Sequence, residues 1–246
     1  MEDFGFYKTI RLSNKDKVES SFSKLNNVYK DIPETKGCME NVDSNCKGWC
    51  CQIQCPQLLY SEFLLIWNYI SNNWTDNQIC DLIERSMMTV VSGSPTKGCV
   101  FFDNESKLCN IHKKRPLNCR IYGITPDEEF KPRYEKLKEL YKSVLGAVIK
   151  PQCDLVSTCN GKEVTIEDTS KWWKKINNIE RSIGLPKKMI TDDIGGSYRT
   201  PHDHILFYTM PENVLNGLES IRNYEDHLEK IKAVKNIVNV IRNTFK

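Results

Sequence analysis

Four cysteines fall within ten residues in the run Cys46-Lys-Gly-Trp-Cys50-Cys51-Gln-Ile-Gln-Cys55-Pro56, and Gly48 inside it permits a tight turn. Thiolates bind soft and borderline metals, and a site needs several of them to converge, which irregular loops can do and a regular strand cannot. A second set, Cys99, Cys109 and Cys119, recurs with nine residues between neighbours. Cys153 and Cys159 form a third patch, beside Pro151 and Gly161.

Zinc asks for four nitrogen or sulfur ligands in a closed tetrahedron, commonly from paired C-x2–4-C knuckles, whereas an iron–sulfur cluster spreads its thiolates around a larger body. The Cys50-Cys51 doublet is awkward for one small tetrahedral ion, while adjacent thiols can serve separate irons or separate centres. The expected ligand set is Cys46, Cys50, Cys51, Cys55, Cys99, Cys109, Cys119 and Cys159. The expected cofactor is an iron–sulfur cluster, 4Fe-4S, one or two of them, with zinc as the alternative. His112, Lys113, Lys114, Arg115 and Arg120 lie among the second set, where cations would offset a cluster's negative charge and raise its reduction potential. Lys113 and Lys114 also read as an ordinary solvated charge run.

Gly98-Cys99-Val-Phe-Phe followed by Cys109-Asn-Ile-His-Lys-Lys-Arg-Pro-Leu-Asn-Cys119-Arg-Ile-Tyr122 resembles the cysteine-cluster family named for its CxxCxxCC motif, the YkgJ-like proteins. Pro56, Leu58 and Glu62 fit the segment that follows that family's cysteine doublet, and the likeness covers about residues 46–122. It implies a zinc- or iron-chelating role. The first motif departs from the family pattern, with Ser44 and Lys47 where C-x2-C-x2-CC would place thiols. Its C-x3-CC form is similar to the cysteine run of flagellin lysine N-methylases, which implies S-adenosylmethionine as a substrate, although no glycine-rich methyltransferase loop accompanies it.

Other residues invite chemistry less strongly. Cys80, in Ile79-Cys-Asp-Leu-Ile, sits among apolar helical positions and reads as a small core residue. Cys38 could reach the first loop, but its spacing carries no signal. Pro201-His202-Asp203-His204 places two imidazoles around a carboxylate; read as a strand, both histidines share a face and Asp203 points away, and an exposed polar loop is the favoured reading. Asp192-Asp193 before Gly195-Gly196 reads as a turn. Trp172-Trp173 puts at least one indole in a helical core stripe. No Ser-His-Asp arrangement, P-loop or dinucleotide fingerprint is present.

The elements that must position the cysteines are mainly helical. Val18, Phe22, Leu25 and Val28 predict a helix over roughly 15–31, stopped by Pro33. Ser61 is expected to cap a helix to about Asn73, and Thr75 with Gln78 has capping-box spacing for another to about Val90. Cys99 to Phe102 reads as a short strand leading to a turn at Asp103-Asn104. Pro126 opens a helix with a Tyr134, Leu137, Leu140 or Tyr141, and Val144 stripe that ends near Gly146. Asp168 or Thr169 is expected to cap a helix carrying Trp172, Ile176, Ile179 and Ile183, closed by Gly184 and Pro186. Residues 187–212 read as irregular, with a strand at Ile205 to Tyr208. Leu218, Ile221, Leu228, Ile231, Val234, Val238 and Ile241 predict one long terminal helix.

The fold class expected is therefore mainly α: helices around irregular cysteine-rich metal-binding loops, with a few short strands. Residues 1–165 would form the metal-binding region and 166–246 a helical region packed on it, with one continuous domain as the alternative. The chain has 246 residues, 39% hydrophobic and 27% charged, which suffices for a real core without staples. Thirty-five Lys and Arg against 32 Asp and Glu leave no global basic field, so nothing points to nucleic acid. Eleven cysteines would suit a disulfide framework in a secreted protein, but Met1 to Leu12 shows no signal-peptide pattern and no apolar run is long enough to span a bilayer. A cytoplasmic protein with reduced thiols is expected. Three functions follow: an iron–sulfur protein with a redox or enzymatic role, a zinc module that presents its helices to a partner, or a lysine N-methylase-like enzyme.

Overall fold

A computed structural model describes residues 15–38, 48–53, 55–93, 98–141, 153–184 and 199–244. The helices are α1 (Lys15–Lys30), α2 (Trp49–Ile53), α3 (Tyr60–Asn73), α4 (Asp76–Val91), α5 (Leu117–Ile121), α6 (Asp127–Tyr141), α7 (Ile166–Ile183), α8 (Pro201–Thr209), α9 (Glu212–Arg222) and α10 (His227–Thr244). A 3-10 turn spans His112–Lys114, and β1 (Thr35–Lys36) pairs antiparallel with β2 (Ser157–Thr158). The fold is mainly α, as the sequence predicts. Among the described residues no helix is long and apolar enough to cross a membrane.

Helix α3 is the hub because it is apolar nearly all round, with every side chain from Tyr60 to Trp67 buried. Phe63, Ile66, Trp67 and Ile70 join the larger core with Ile79, Leu82, Ile83 and Met87 of α4 and with Ile205, Leu218, Val234, Val238 and Ile241 of α8 to α10. Leu59 and Leu65 face a second core with Leu25 and Val28 of α1, Leu117 and Ile121 of α5, and Trp172 and Ile176 of α7. Each fully buried aliphatic or aromatic side chain contributes roughly 1.5–3 kcal/mol of burial. The cysteine loops are therefore framed by two cores that share one helix.

Several helix ends differ from expectation, each for a local reason. Ser61 lies inside α3; the cap is made by carboxylates, Glu62 Oε2 accepting Leu59 N–H at 3.0 Å and Glu180 of α7 accepting the N–H groups of Tyr60 and Ser61 at 3.2 and 2.7 Å. Thr165, with Asp168 at the third helical position, forms the capping box of α7, so the helix starts earlier than an Asp168 or Thr169 cap would place it. The box of Thr75 and Gln78 forms as expected. Residues 99–102 hold a turn and a single bridge between Phe102 and Cys109 instead of a strand. Ile205 to Tyr208 are helical, because Thr200 caps and Pro201 opens α8. The terminal stripe is broken between Arg222 and His227, where Asp226 Oδ1 accepts Leu228 N–H at 2.7 Å and starts a new helix. Leu228 is consequently 62% exposed. The expected stripe at Leu137, Leu140, Tyr141 and Val144, and Gly146 after it, lies outside the described side chains, as do Asp192-Asp193, Gly195-Gly196 and Pro186.

Candidate metal centre

Four pieces of chain bring thiols to one basin. Gly48 adopts a left-handed φ of 67° ahead of α2, which carries Cys50 and Cys51. The next cysteine segment docks directly on this turn: Cys99 N–H donates to Cys51 C=O at 2.7 Å, and a Cβ on Gly98 would stand 2.7 Å from the Gln52 carbonyl oxygen. Glycine at 98 is what allows that approach. Cys109 is folded back toward Cys99 by a hairpin, with Asp103 N–H to Leu108 C=O and Asn110 N–H to Phe101 C=O both at 2.9 Å. Its turn contains Lys107 at φ 58°. Cys119 rides on the one-turn helix α5, whose first N–H, at Leu117, is held by Glu62 Oε1 at 2.7 Å.

The thiols are mutual neighbours. Cys51 lies against Cys50 and within electrostatic reach of Cys99 and Cys119; Cys99 lies against Cys55 and within reach of Cys50; Cys109 is within reach of Cys99 and Cys38; Cys119 is within reach of Cys99, Cys109 and Cys50. Cys38, Cys51, Cys99 and Cys109 pack around the buried ring of Phe102, which gives the basin an apolar wall. The thiol contact with Cys50 pushes the Cys51 pKa up, with burial adding to it, and contact with Cys55 does the same for Cys99. Burial alone is the main cause at Cys119 and at Cys109, which is pushed up to about 12. Burial and mutual contact thus favour the protonated form of these thiols. Among the described residues no three His, Cys, Asp or Glu side chains are already drawn together closely enough to hold an ion.

A chain of polar contacts braces one side of the basin. Arg115 donates from Nη1 to Cys38 Sγ at 3.2 Å and from Nη2 to Thr35 Oγ1 at 3.0 Å. Arg120 Nε donates to Arg115 C=O at 2.8 Å, and its guanidinium lies 4.3 Å from the centroid of the Tyr29 ring. Tyr29 in turn donates its hydroxyl proton to Glu62 at 2.8 Å. A cavity of about 1060 Å³ opens against Cys109, lined by Lys30, Lys113, Lys114, Arg115 and Arg120 with Glu34 opposing them. Burial, helped by Arg115 and Arg120, lowers the His112 pKa to about 4, so its imidazole is neutral at ordinary pH.

Of the predicted ligands, Cys50, Cys51, Cys55, Cys99, Cys109 and Cys119 meet in this basin. Cys46 lies outside the described residues. Cys159 is exposed and lines the same cavity as Cys109, with its N–H on Glu34 C=O at 2.7 Å. Cys80 is buried in the α4 core, as its surroundings predict.

Two residues were not among the predicted ligands. Cys38 joins the thiols because β1 pairs with β2 and Gly37, at φ 85°, packs against Leu155, neither of which has a spacing signature. His202 Nδ1 stands 3.6 Å from Cys55 Sγ and the side chain is buried, so the exposed polar loop expected around it is corrected. On a helix the two histidines also part company: His204 is in the core, on Leu58 C=O at 3.0 Å and stacked on Phe63. The only sequence cue to this was Thr-Pro-His-Asp as a helix start, with Thr at the cap and Pro behind it.

Residues 37–139 match the family model CxxCxxCC, described as "Putative zinc- or iron-chelating domain". No curated protein and no solved structure matches the chain.

Proposed function

With residues 37–139 belonging to the CxxCxxCC family, we propose that the chain is an iron–sulfur protein with a redox or enzymatic role, its basin holding a 4Fe-4S cluster or two. The observation that carries this reading is the single connected set of Cys38, Cys50, Cys51, Cys55, Cys99, Cys109 and Cys119, more thiols than one tetrahedral zinc takes. Cys46, outside the described residues, remains in the proposed set on its spacing alone, and Cys159 is the further candidate on the cavity side. The thiols would have to draw inward around the cluster.

Such a cluster supplies one-electron transfer, or a Lewis-acidic iron where one position is left open. The chain's own residues set its surroundings. Phe102 keeps water from one wall, and Arg115 places a guanidinium on Cys38, which favours the thiolate and raises a cluster's potential. The cation-lined cavity at Cys109 gives an anionic molecule or partner a route to the centre. Residues 1–165 carry the centre, and 166–246 are read as a helical region completing the same core, which α7 to α10 support by packing on α1, α3 and α4. A thiolate-bound centre of this kind suits a reducing, cytoplasmic setting.

A structural zinc site is the second reading, because the family description names both metals. Anaerobic purification followed by iron, sulfide and zinc analysis separates the two. Iron with acid-labile sulfide and broad visible absorption is expected; stoichiometric zinc without iron or sulfide would sink the cluster.

A further inference from the structure

We propose that His202 is a nitrogen ligand of the metal centre, supplied from outside the cysteine domain, so that the centre is a mixed cysteine–histidine site. This rests on the basin being a metal centre, whichever of iron or zinc it holds.

Geometry comes first. The bridge between Leu58 and Arg199, with N···O distances of 2.8 and 3.1 Å in the two directions, ties the segment after Cys55 to the residue that leads into α8. Three residues back on one side and three forward on the other, Cys55 Sγ and His202 Nδ1 are left 3.6 Å apart. Two ligands of one tetrahedral ion, with metal–sulfur and metal–nitrogen distances of about 2.3 and 2.0–2.1 Å, stand about 3.6 Å apart along the tetrahedron's edge. Cys99, which lies against Cys55, is the next thiol behind this pair.

The tautomer is set by the neighbours. Thr200 gives its hydroxyl proton to Asp203 Oδ2, so its oxygen must accept when it meets His202 Nε2 at 3.1 Å. Nε2 therefore carries the ring proton, and Nδ1 is left with its lone pair directed at Cys55. An imidazole whose far nitrogen is anchored through a hydroxyl to a carboxylate is the outer arrangement that orients and strengthens a histidine ligand. A histidine kept only for packing needs neither; His204, two residues on, shows that alternative, with its ring in the aromatic stack of Phe63 and Tyr208.

The test uses the full chain purified anaerobically with its metal, in unlabelled form and with 15N-histidine. For an iron centre, pulsed EPR of the reduced protein reads directly bound nitrogen; for zinc, X-ray absorption at the metal edge reads imidazole in the ligand shell. One histidine nitrogen is expected in the wild type, retained in His112→Gln and lost in His202→Gln. His202→Cys should keep the metal with sulfur in place of nitrogen, which also covers the case in which His202→Gln fails to fold. A wild-type shell with sulfur alone would overturn the assignment and leave the thiolate centre standing. Protein without stoichiometric iron or zinc would overturn both.

Discussion

The carboxylate of Glu62 accepts the backbone N–H of Leu117 at 2.7 Å, across 55 residues of chain, and so joins the first turn of α3 to the helix that carries Cys119. The same carboxylate takes the Tyr29 hydroxyl and the Leu59 N–H. Three donors on one buried acid make Glu62 the point from which the α5 end of the thiol basin is hung.

Glu62→Gln should therefore destabilise the protein although it is nearly isosteric. An amide nitrogen must face either Leu59 N–H or the Leu117 and Tyr29 donors, and a buried donor left without its acceptor costs about 1–3 kcal/mol. Urea unfolding of the metal-free protein checks this; a variant as stable as wild type would remove Glu62 from its bracing role.

Burial is the largest influence on Glu62 and raises its pKa above the ordinary 4.5, against the lowering effect of its donors and Arg120. The folded chain thus holds this proton more tightly than the unfolded one. The associated stability is complete below the unfolded value and is lost as pH rises from there through the raised folded value. The difference in unfolding free energy between wild type and Glu62→Gln should vary with pH across that window, and a constant difference would contradict the expectation.

Among the thiols, Cys50→Ala, Cys109→Ala and Cys119→Ala should each lose bound metal, measured per protein after anaerobic purification. Cys80→Ala should keep it, since Cys80 sits in the α4 core. Full metal content in the first three would dismiss the basin as the site.

Arg115→Met keeps the side-chain stem and removes the donors to Cys38 and Thr35. Loss of an outer partner of this kind lowers metal affinity by about 10–100-fold. Competition with a chelator reads the change, and an unaltered affinity would mean that Cys38 takes no part.

Gly37→Ala should disturb the same corner from the backbone side. Its φ is 85°, and a Cβ would fall 1.9 Å from the Leu155 carbonyl oxygen, so β1 and Cys38 must shift. A destabilisation of more than about 1 kcal/mol is expected in thermal or urea unfolding, together with reduced metal content.

Helix positions were legible from apolar spacing at Val18 to Val28 and from the capping box of Thr75 with Gln78, whereas the stripe from Leu218 to Ile241 is two helices. They were misread where a cap came from elsewhere in the chain: Glu180 caps α3 from across the fold, and no local pattern announces it. Ile205 to Tyr208 looked like a strand because four apolar and aromatic residues in a row fit either period, and the cap and proline before them decide for helix.

The cysteine spacing by itself pointed to a soft-metal donor set, since thiol chemistry is a property of residue type and local density; the loops expected for it are in part short helices, α2 under Cys50 and Cys51 and α5 under Cys119. Which thiols share one basin was decided by tertiary structure. Gly98 approaching α2, the hairpin before Cys109, Glu62 holding α5 and the β1–β2 pair behind Cys38 are contacts between residues far apart in sequence. His202 is the extreme case, 147 residues from Cys55 and brought beside it by one backbone bridge and a capped helix turn. A pattern read along the chain reports periods and neighbours; a ligand delivered across the fold has neither.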